Sequence, residues 1–443
     1  MANIYPVING IAKKQKAAYA VINGVTKKIK KVYGVVDGVT RLIFSEAGGD
    51  GIVGIFVQRG HAGAIYRYDV DSGTDSTIGI SLACAISGDC QTIVTFPTDF
   101  YPDQATSYNV VVYKYDATTK TYTKKSTNDL YSYFSSFLAL HDTSLATWAA
   151  YRARALISYD GSKILFVAQN ASAVSQLTES PATYEEQVWH GHLMCNISSG
   201  SNITPTTNSV VVKGTYQNSS QPCTSDVFYM CANDDLSVYR TTMRITYDAG
   251  SSYGYLTSFW ENINGVTYQG TSSSDYYITP DGKYLVFQSG KTITVYLISG
   301  TTKTLIGTAT TSSAISTTVN YDYGYATGIR GSYDADTERL ALYDWGASTS
   351  PVIYTFQLSE SSVTLLGSFT RDGTWYISSI DKCFEHMVTV EKYNGATKLY
   401  HHLYELSIDT NSVITGVTYK AQIISNFNPT SADTRRHVHW IYE

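Results

Sequence analysis

From Gly48 onward, short apolar runs alternate with polar turns, and an acid recurs at the same place in the turn. The clearest copies read Ile157-Ser158-Tyr159-Asp160-Gly161-Ser162-Lys163-Ile164-Leu165-Phe166-Val167 and Ile278-Thr279-Pro280-Asp281-Gly282-Lys283-Tyr284-Leu285-Val286-Phe287. Looser copies place Asp89 before the run 93–96, Asp336 before 340–343 and Asp381 before 386–390. Apolar runs this short, bounded by Gly, Asp and Ser, predict strands, and the acid supplies the turn between them. A second strand usually follows and ends in a polar hairpin, as in 110–116 turning through Ala117-Thr118-Thr119 and 404–408 turning through Asp409-Thr410-Asn411. Turn acids at Asp50, Asp89, Asp160, Asp226, Asp281, Asp336 and Asp381 divide this part of the chain into seven units, on average about 55 residues apart.

The order of turn, strand, strand and hairpin resembles the blades of β-propellers of the WD-repeat or YVTN kind, without their signature dipeptides. The resemblance implies an all-β chain whose body, 47–443, is a propeller, with seven blades the expected number. A series of β-sandwiches or a β-helix would satisfy the same pattern.

The first 46 residues follow a different and stricter rule. Tyr5, Tyr19 and Tyr33 are spaced by 14, as are Gly10, Gly24 and Gly38, and the unit reads in full Tyr19-Ala20-Val21-Ile22-Asn23-Gly24-Val25-Thr26-Lys27. Asn-Gly or Asp-Gly between β-branched residues is a hairpin signal, because a type I′ turn needs positive φ at both central residues. The predicted turns are Asn9-Gly10, Asn23-Gly24 and Asp37-Gly38. Between the hairpins lie Lys13 and Lys14, and then Lys27, Lys28, Lys30 and Lys31, on the opposite edge of a meander. Strands this short are marginal alone and need a partner to pack on, so the segment reads as an anchor. These tandem units resemble the N-terminal repeats of structural proteins of phages and prophages of Gram-positive and gut bacteria. The resemblance covers residues 5–44 and implies a virion component attached through its N-terminus, in capsid, neck, tail or baseplate.

Charge sharpens the division. Up to Leu42, eight basic residues face one acid, Asp37, giving +7; the formal total of −5 then leaves −12 for the remainder. A basic head on an acidic body suggests docking on an anionic surface, or else a solvated lysine fringe that keeps short strands soluble. Tyrosine is the compositional outlier, 38 residues against 16% charged residues in all, as suits pleated strands. The six cysteines form no C-x-x-C pair and are read as buried thiols made in a reducing cytoplasm. No run approaches the roughly 18 apolar residues of a membrane span.

Candidate chemistry is thin. Asp69-Val70-Asp71-Ser72-Gly73-Thr74-Asp75 resembles a calcium loop but lacks the downstream Glu and falls where a hairpin should turn. His190-Gly191-His192, His401-His402 and His437-Val438-His439 could each offer imidazoles, yet apart from Cys195 no further ligand stands nearby, and they are read as surface or packed residues. Neither Asp160-Gly161 nor Asp281-Gly282 is followed by the Trp of a sialidase box, and no H-E-x-x-H or phosphate loop occurs. No metal or cofactor is expected, and the chain is read as a non-enzyme; a glycan depolymerase is the enzymatic alternative.

Aromatic clusters interrupt the blade pattern. Tyr131, Tyr133, Tyr253, Tyr255, Tyr321, Tyr323 and Tyr325 are the candidate recognition residues, because tyrosine in Gly- and Ser-rich loops gives rigid contact area and a hydroxyl at low entropic cost. The expected protein is a phage virion component assembled in the bacterial cytoplasm, multi-copy in the particle and tail-, baseplate- or fibre-associated. It would bind other virion proteins through its repeats and a host-surface glycan or protein through its propeller, with no nucleic acid partner and no membrane insertion. The alternative is a capsid decoration or head-fibre protein.

Overall fold

A computed structural model describes residues 7–8, 11–12, 18–22, 25–29, 31–36, 39–45, 52–59, 65–78, 84–97, 99–100, 107–116, 118–133, 151–170, 185–206, 210–217, 223–248, 253–270, 275–315, 329–343, 351–371, 375–392, 399–409, 413–424 and 436–442. The chain divides into two compact units, Met1–Val53 with Tyr442–Glu443, and Gly54–Ile441.

In the first unit, Val7–Ile8 pairs with Ile11–Ala12, Ala18–Ile22 with Val25–Ile29, and Lys31–Val36 with Val39–Ser45. The registers Ile8↔Ile11, Ile22↔Val25 and Val36↔Val39 are equivalent, each leaving two residues between the paired ends. Three copies of one sequence thus pair in one register. The turn residues Asn9, Gly10, Asn23, Gly24, Asp37 and Gly38 lie outside the described residues, as do Lys13, Lys14 and Lys30; Lys27 and Lys28 fall in Val25–Ile29 and Lys31 opens Lys31–Val36.

The second unit is a seven-bladed β-propeller. Blades 4 to 7 are sheets of four consecutive strands, and blade 2 has four strands without Asp99–Phe100, which joins blade 3. Blade 2 orders Cys84–Ile86, Thr92–Thr95, Asn109–Asp116 and Thr121–Asp129; blade 4, Cys223–Ala232, Val238–Asp248, Tyr253–Ile263 and Val266–Gly270; blade 5, Asp275–Ile278, Tyr284–Ser289, Thr292–Ser299 and Thr302–Thr310. Blade 6 runs Arg330–Asp334, Arg339–Tyr343, Val352–Ser359 and Ser362–Thr370, and blade 7 runs Trp375–Ile380, His386–Lys392, Leu399–Ile408 and Ile414–Ile423. Blade 3 carries Tyr151–Ile157, Lys163–Asn170 and Glu185–Ile197, flanked by Asp99–Phe100 inside and by Ile203–Pro205 and Val210–Gln217 outside. In blade 1 the C-terminal strand Arg436–Tyr442 precedes Ile52–Arg59, Ile65–Asp69 and Thr74–Thr77, so the two ends of the chain close the ring. Second strands are the most buried and fourth strands the most exposed, which places first strands at the axis and fourth strands on the rim.

The turn between first and second strands is the element that the sequence pattern describes. In blade 3, Ser158 Oγ donates to Asp160 Oδ1 (2.8 Å) and accepts the Lys163 N–H (2.9 Å), while the Ser162 N–H donates to Asp160 Oδ1 (2.9 Å). Ser87 with Asp89, Asn233 with Asp235, and Thr279 with Asp281 repeat this network. The fourth turn residue has positive φ, at Cys90, Gly161, Leu236, Gly282 and Phe384. Only glycine holds that conformation without strain, and a Cβ at Gly161 would also lie 2.3 Å from Thr92 Oγ1.

Two of the expected seven turn acids are placed differently. Asp226 lies inside Cys223–Ala232, in register with Arg244; the turn of blade 4 is Asn233-Asp234-Asp235-Leu236, hidden because it has no glycine and because the apolar run 227–231 precedes it. Asp50 lies outside the described residues, and blade 1 has no such turn, since its first strand arrives from the C-terminus. In blade 7, Asp381 takes the first turn position, with its Oδ1 accepting the N–H groups of Glu385 (2.8 Å) and His386 (3.1 Å).

Blades pack through continuous apolar clusters. Val94, Val110, Ile164 and Phe166 join blades 2 and 3, Val286, Ile293, Leu340 and Phe356 join 5 and 6, and Ala341, Ile353, Met387 and Leu406 join 6 and 7. Between blades 4 and 5 the buried Arg240 guanidinium stacks 4.1 Å from the Tyr276 ring and 4.9 Å from Phe287, facing Glu261 at 3.7 Å, whose other oxygen binds Lys303. Buried charge of this kind is tolerable only when paired and stacked. Cys90 and Cys195 are buried free thiols.

Candidate functional site

At the end of the ring where the first turns converge, the backbone is stitched around the axis. The Asp89 N–H donates to the Tyr159 carbonyl (2.9 Å), Tyr159 to Asp234 (2.6 Å) and Asp234 to Pro280 (2.7 Å), where the series stops because proline has no N–H. Asp89, Asp160, Asp235 and Asp281 each spend an oxygen on an N–H of their own turn. Asp234 occupies the second turn position instead and is exposed. Desolvation by the surrounding turns, then the charges of Asp281 and Asp235, push its carboxyl up to about 6 against the pull of Lys382. Tyr159, 42% exposed, lies beside it. Among the described residues no three His, Cys, Asp or Glu side chains gather as a metal site.

Of the paired histidines, His192, His401 and His402 are buried. His192 is fully buried, with Nε2 3.1 Å from Thr241 Oγ1 and Nδ1 3.3 Å from Tyr239 OH, and burial lowers it to about 3, so it stays neutral. Burial likewise lowers His439 to about 4. His401 and His402 are both buried, and His402 stacks on Tyr400. The segment 69–75 is a hairpin turn: Asp69 Oδ1 accepts the Ser72 N–H at 2.9 Å, and Gly73 has φ +67.

A polar cluster that sequence reasoning missed joins blades 6 and 7. Glu391 Oε1 accepts from Tyr404 OH (2.7 Å), Thr389 Oγ1 (2.9 Å) and Arg371 (3.3 Å), while Oε2 lies 3.4 Å from His402 Nδ1. Burial alone would raise this carboxyl; the bonds from His402, Tyr404 and Thr389 and the Arg371 charge together outweigh it and hold it at about 2. A depressed carboxyl stabilises the fold above its unfolded pKa, near 4.5, and that contribution disappears as pH falls to about 2. Glu391→Gln is therefore expected to lower stability by on the order of 2–3 kcal/mol at pH 7 and to flatten the pH dependence of the thermal midpoint between about 5 and 2. A variant with the same acid-side slope as wild type would show that Glu391 does not carry it.

The predicted recognition residues separate. Tyr131 and Tyr133 form one helical turn after the rim strand of blade 2, Tyr131 packed against the core of blades 2 and 3 and Tyr133 44% exposed. Tyr253 and Tyr255 begin the third strand of blade 4, in register with Asp248 and Thr246. Tyr321, Tyr323 and Tyr325 lie outside the described residues.

Blades 3 and 4 rise at the end opposite the turns. In blade 3, among the described residues, Glu185–Ile197 pairs with Lys163–Asn170 from His190 on and residues 185–189 pair with 213–217, a two-stranded ribbon roughly 15 Å long. In blade 4 the rim strand pairs only with 259–263, and the three inner strands continue past it through Asp226↔Arg244↔Thr257 and Thr224↔Thr246↔Tyr255 to Asp248↔Tyr253. The strands Val210–Gln217 and Tyr253–Ile263 approach one another.

No protein-family model matches the chain, and no curated protein matches it. Among solved structures, a protein of Bacteroides fragilis provisionally assigned as a 6-phosphogluconolactonase aligns over 89% of this chain and 99% of its own, with 10% identity and a TM-score of 0.45. Its counterpart from Bacteroides uniformis aligns over 88% and 99%, with 9% identity and a TM-score of 0.46. An acylaminoacyl peptidase of Pyrococcus horikoshii aligns over 77% and 46%, with 10% identity and a TM-score of 0.36. These neighbours carry enzyme names, and the likeness is one of fold.

Proposed function

We propose that this chain is a non-enzymatic structural protein of a bacteriophage particle, attached at the tail, baseplate or a fibre by its N-terminal repeats and presenting the propeller to the host surface. The observation that carries the reading is the threefold repeat: three copies of one 14-residue unit, paired in one register, hold a net +7 within 42 residues of a chain whose remainder is −12. Repetition in a short, basic, marginally stable segment suits docking on a repeated anionic surface better than it suits folding alone. Asp89, Asp160, Asp235 and Asp281 are committed to their own backbone, which supports a binding rather than a hydrolytic role. In this reading the protein is multi-copy, is assembled in the host cytoplasm and needs no cofactor.

The test is its position in an electron-microscopy reconstruction of the particle. Seven-bladed density at the tail, baseplate or fibre tip is expected. Rings spread over the head lattice would make it a decoration protein, and its absence from purified particles would overturn the virion reading.

A further inference from the structure

Resting on that adhesin reading, we propose that the outer groove between blades 6 and 7 is a binding site for a neutral glycan, with Tyr419 as its stacking surface and Gln422 and Arg371 as its polar contacts.

The fourth strand of blade 7 supplies the exposed side of the site. Against the third strand its register runs His402↔Gln422, Leu403↔Ala421 and then Tyr404↔Tyr419, so Lys420 is an extra residue that the ladder skips. Faces alternate along a strand, and an unbroken register would set Lys420 beside Tyr404 and turn Tyr419 to the other face. The bulge re-aims it. Tyr419 thereby joins Gln422, His402 and Tyr400, on the face whose Met387 and Leu406 pack against blade 6. Blades 2, 5 and 6 have the same bulge, but there Lys124, Leu305 and Leu365 stand where blade 7 has its tyrosine.

The ring is both exposed and fixed. Tyr419 is 53% exposed, yet it meets His402 and Tyr404 edge to face, with ring centres 5.5 and 5.8 Å away. Tyr400 stacks on His402 with 7° between the planes. Tyr404 is held in turn by its bond to Glu391 and by the Arg371 guanidinium, 4.8 Å from its ring centre. Replacing a buried charge network of this kind by apolar residues is often neutral or stabilising, so cohesion alone does not account for it. What it supplies is an aromatic surface already in place, with little side-chain freedom left to lose on binding.

The composition of the site selects the partner. Its exposed members, Tyr419, Gln422 and part of Arg371, include no aliphatic side chain, whereas a stable protein interface needs an apolar core. A tyrosine ring stacks on the C–H face of a sugar, and the amide beside it can both donate to and accept from hydroxyls, while the guanidinium donates. Glu391, 3.3 Å from Arg371, balances its charge, and the chain beyond residue 42 is −12 overall, which disfavours a polyanion.

The full chain would be applied to an array of short oligosaccharides of neutral hexoses and N-acetylhexosamines, beside uronate and sulfated ones, and to intact bacterial cells with and without protease treatment. Binding to the neutral set is expected, with a loss of at least about tenfold in Tyr419→Ala and retention within about threefold in Tyr419→Phe. Gln422→Ala, which removes an exposed amide and no packing, is expected to weaken binding by at least about threefold with an unchanged thermal midpoint, and it serves if Tyr419→Ala misfolds. Neutral-glycan binding that both Ala variants retain in full would overturn the proposal. So would binding confined to acidic glycans, or cell binding that protease abolishes without any array signal; in each of those cases the adhesin reading stands. Binding to neither array nor cells would overturn both.

Discussion

Particles assembled with a chain lacking residues 1–46 are expected to contain at least about tenfold less of it than wild type, while the truncated chain still folds as a propeller. The ring should survive because its buried core, among the described residues, begins at Ile55 and its blades close without any of the three hairpins. Attachment should fail because the deletion removes all of the +7 segment and leaves an acidic body. A narrower variant separates charge from shape. Replacing Lys27, Lys28, Lys30 and Lys31 by Glu keeps the hairpin registers but reverses the local field, and incorporation should fall in a way that depends on ionic strength, since screening at physiological salt acts over about 8 Å. Quantitative blotting of purified particles against the soluble pool measures both. Wild-type incorporation of the truncated chain would show that the repeats are not the attachment module and that the lysines are a solubilising fringe.

Removing residues 436–443 should cost more than any point substitution, because it takes away the innermost strand of blade 1 and opens the ring. Trp440 is 8% exposed and donates its indole N–H to Ser379 Oγ of blade 7 at 2.8 Å, while Ile441 packs against the cluster of Phe56, Ile86 and Ile93. Ile441 Cδ1 also stands 2.9 Å from where a Cβ on Gly54 would lie, so the strands are close-packed. Trp440→Ala alone is expected to destabilise by about 3–5 kcal/mol, and loss of the whole strand should exceed that and end cooperative unfolding. Thermal unfolding followed by circular dichroism, with limited proteolysis of blade 1, reads both. A truncated chain that melted within a few degrees of wild type would mean that Ile52–Arg59 closes the ring without its inner partner.

Much of this architecture was legible because its information is local. The turn acids Asp89, Asp160, Asp281, Asp336 and Asp381 do fall in the connections between first and second strands, and a six-residue network of one hydroxyl, one carboxylate and one residue of positive φ explains most of them. The hairpin registers of the N-terminal strands likewise follow from a pattern that repeats every 14 residues. Blade 4 escaped because leucine stands where glycine would have signalled the turn, at Leu236 with φ +60. The Glu391 cluster escaped because Thr389 and Glu391 of one strand meet His402 and Tyr404 of the next, and Arg371 beyond blade 6, only through strand pairing and blade packing.

The sequence by itself determined the strand and turn alternation and the charge division between head and body, properties of neighbouring residues and of composition. Tertiary structure alone decided which strand closes blade 1, that blades 3 and 4 outgrow the others, and that Arg240 stacks between two aromatic rings in the interior. The reason is range: a turn satisfies its own N–H groups within six residues, whereas closure depends on pairs such as the Ile424 N–H with Asp75 Oδ1, 2.8 Å apart in space and 349 residues apart along the chain.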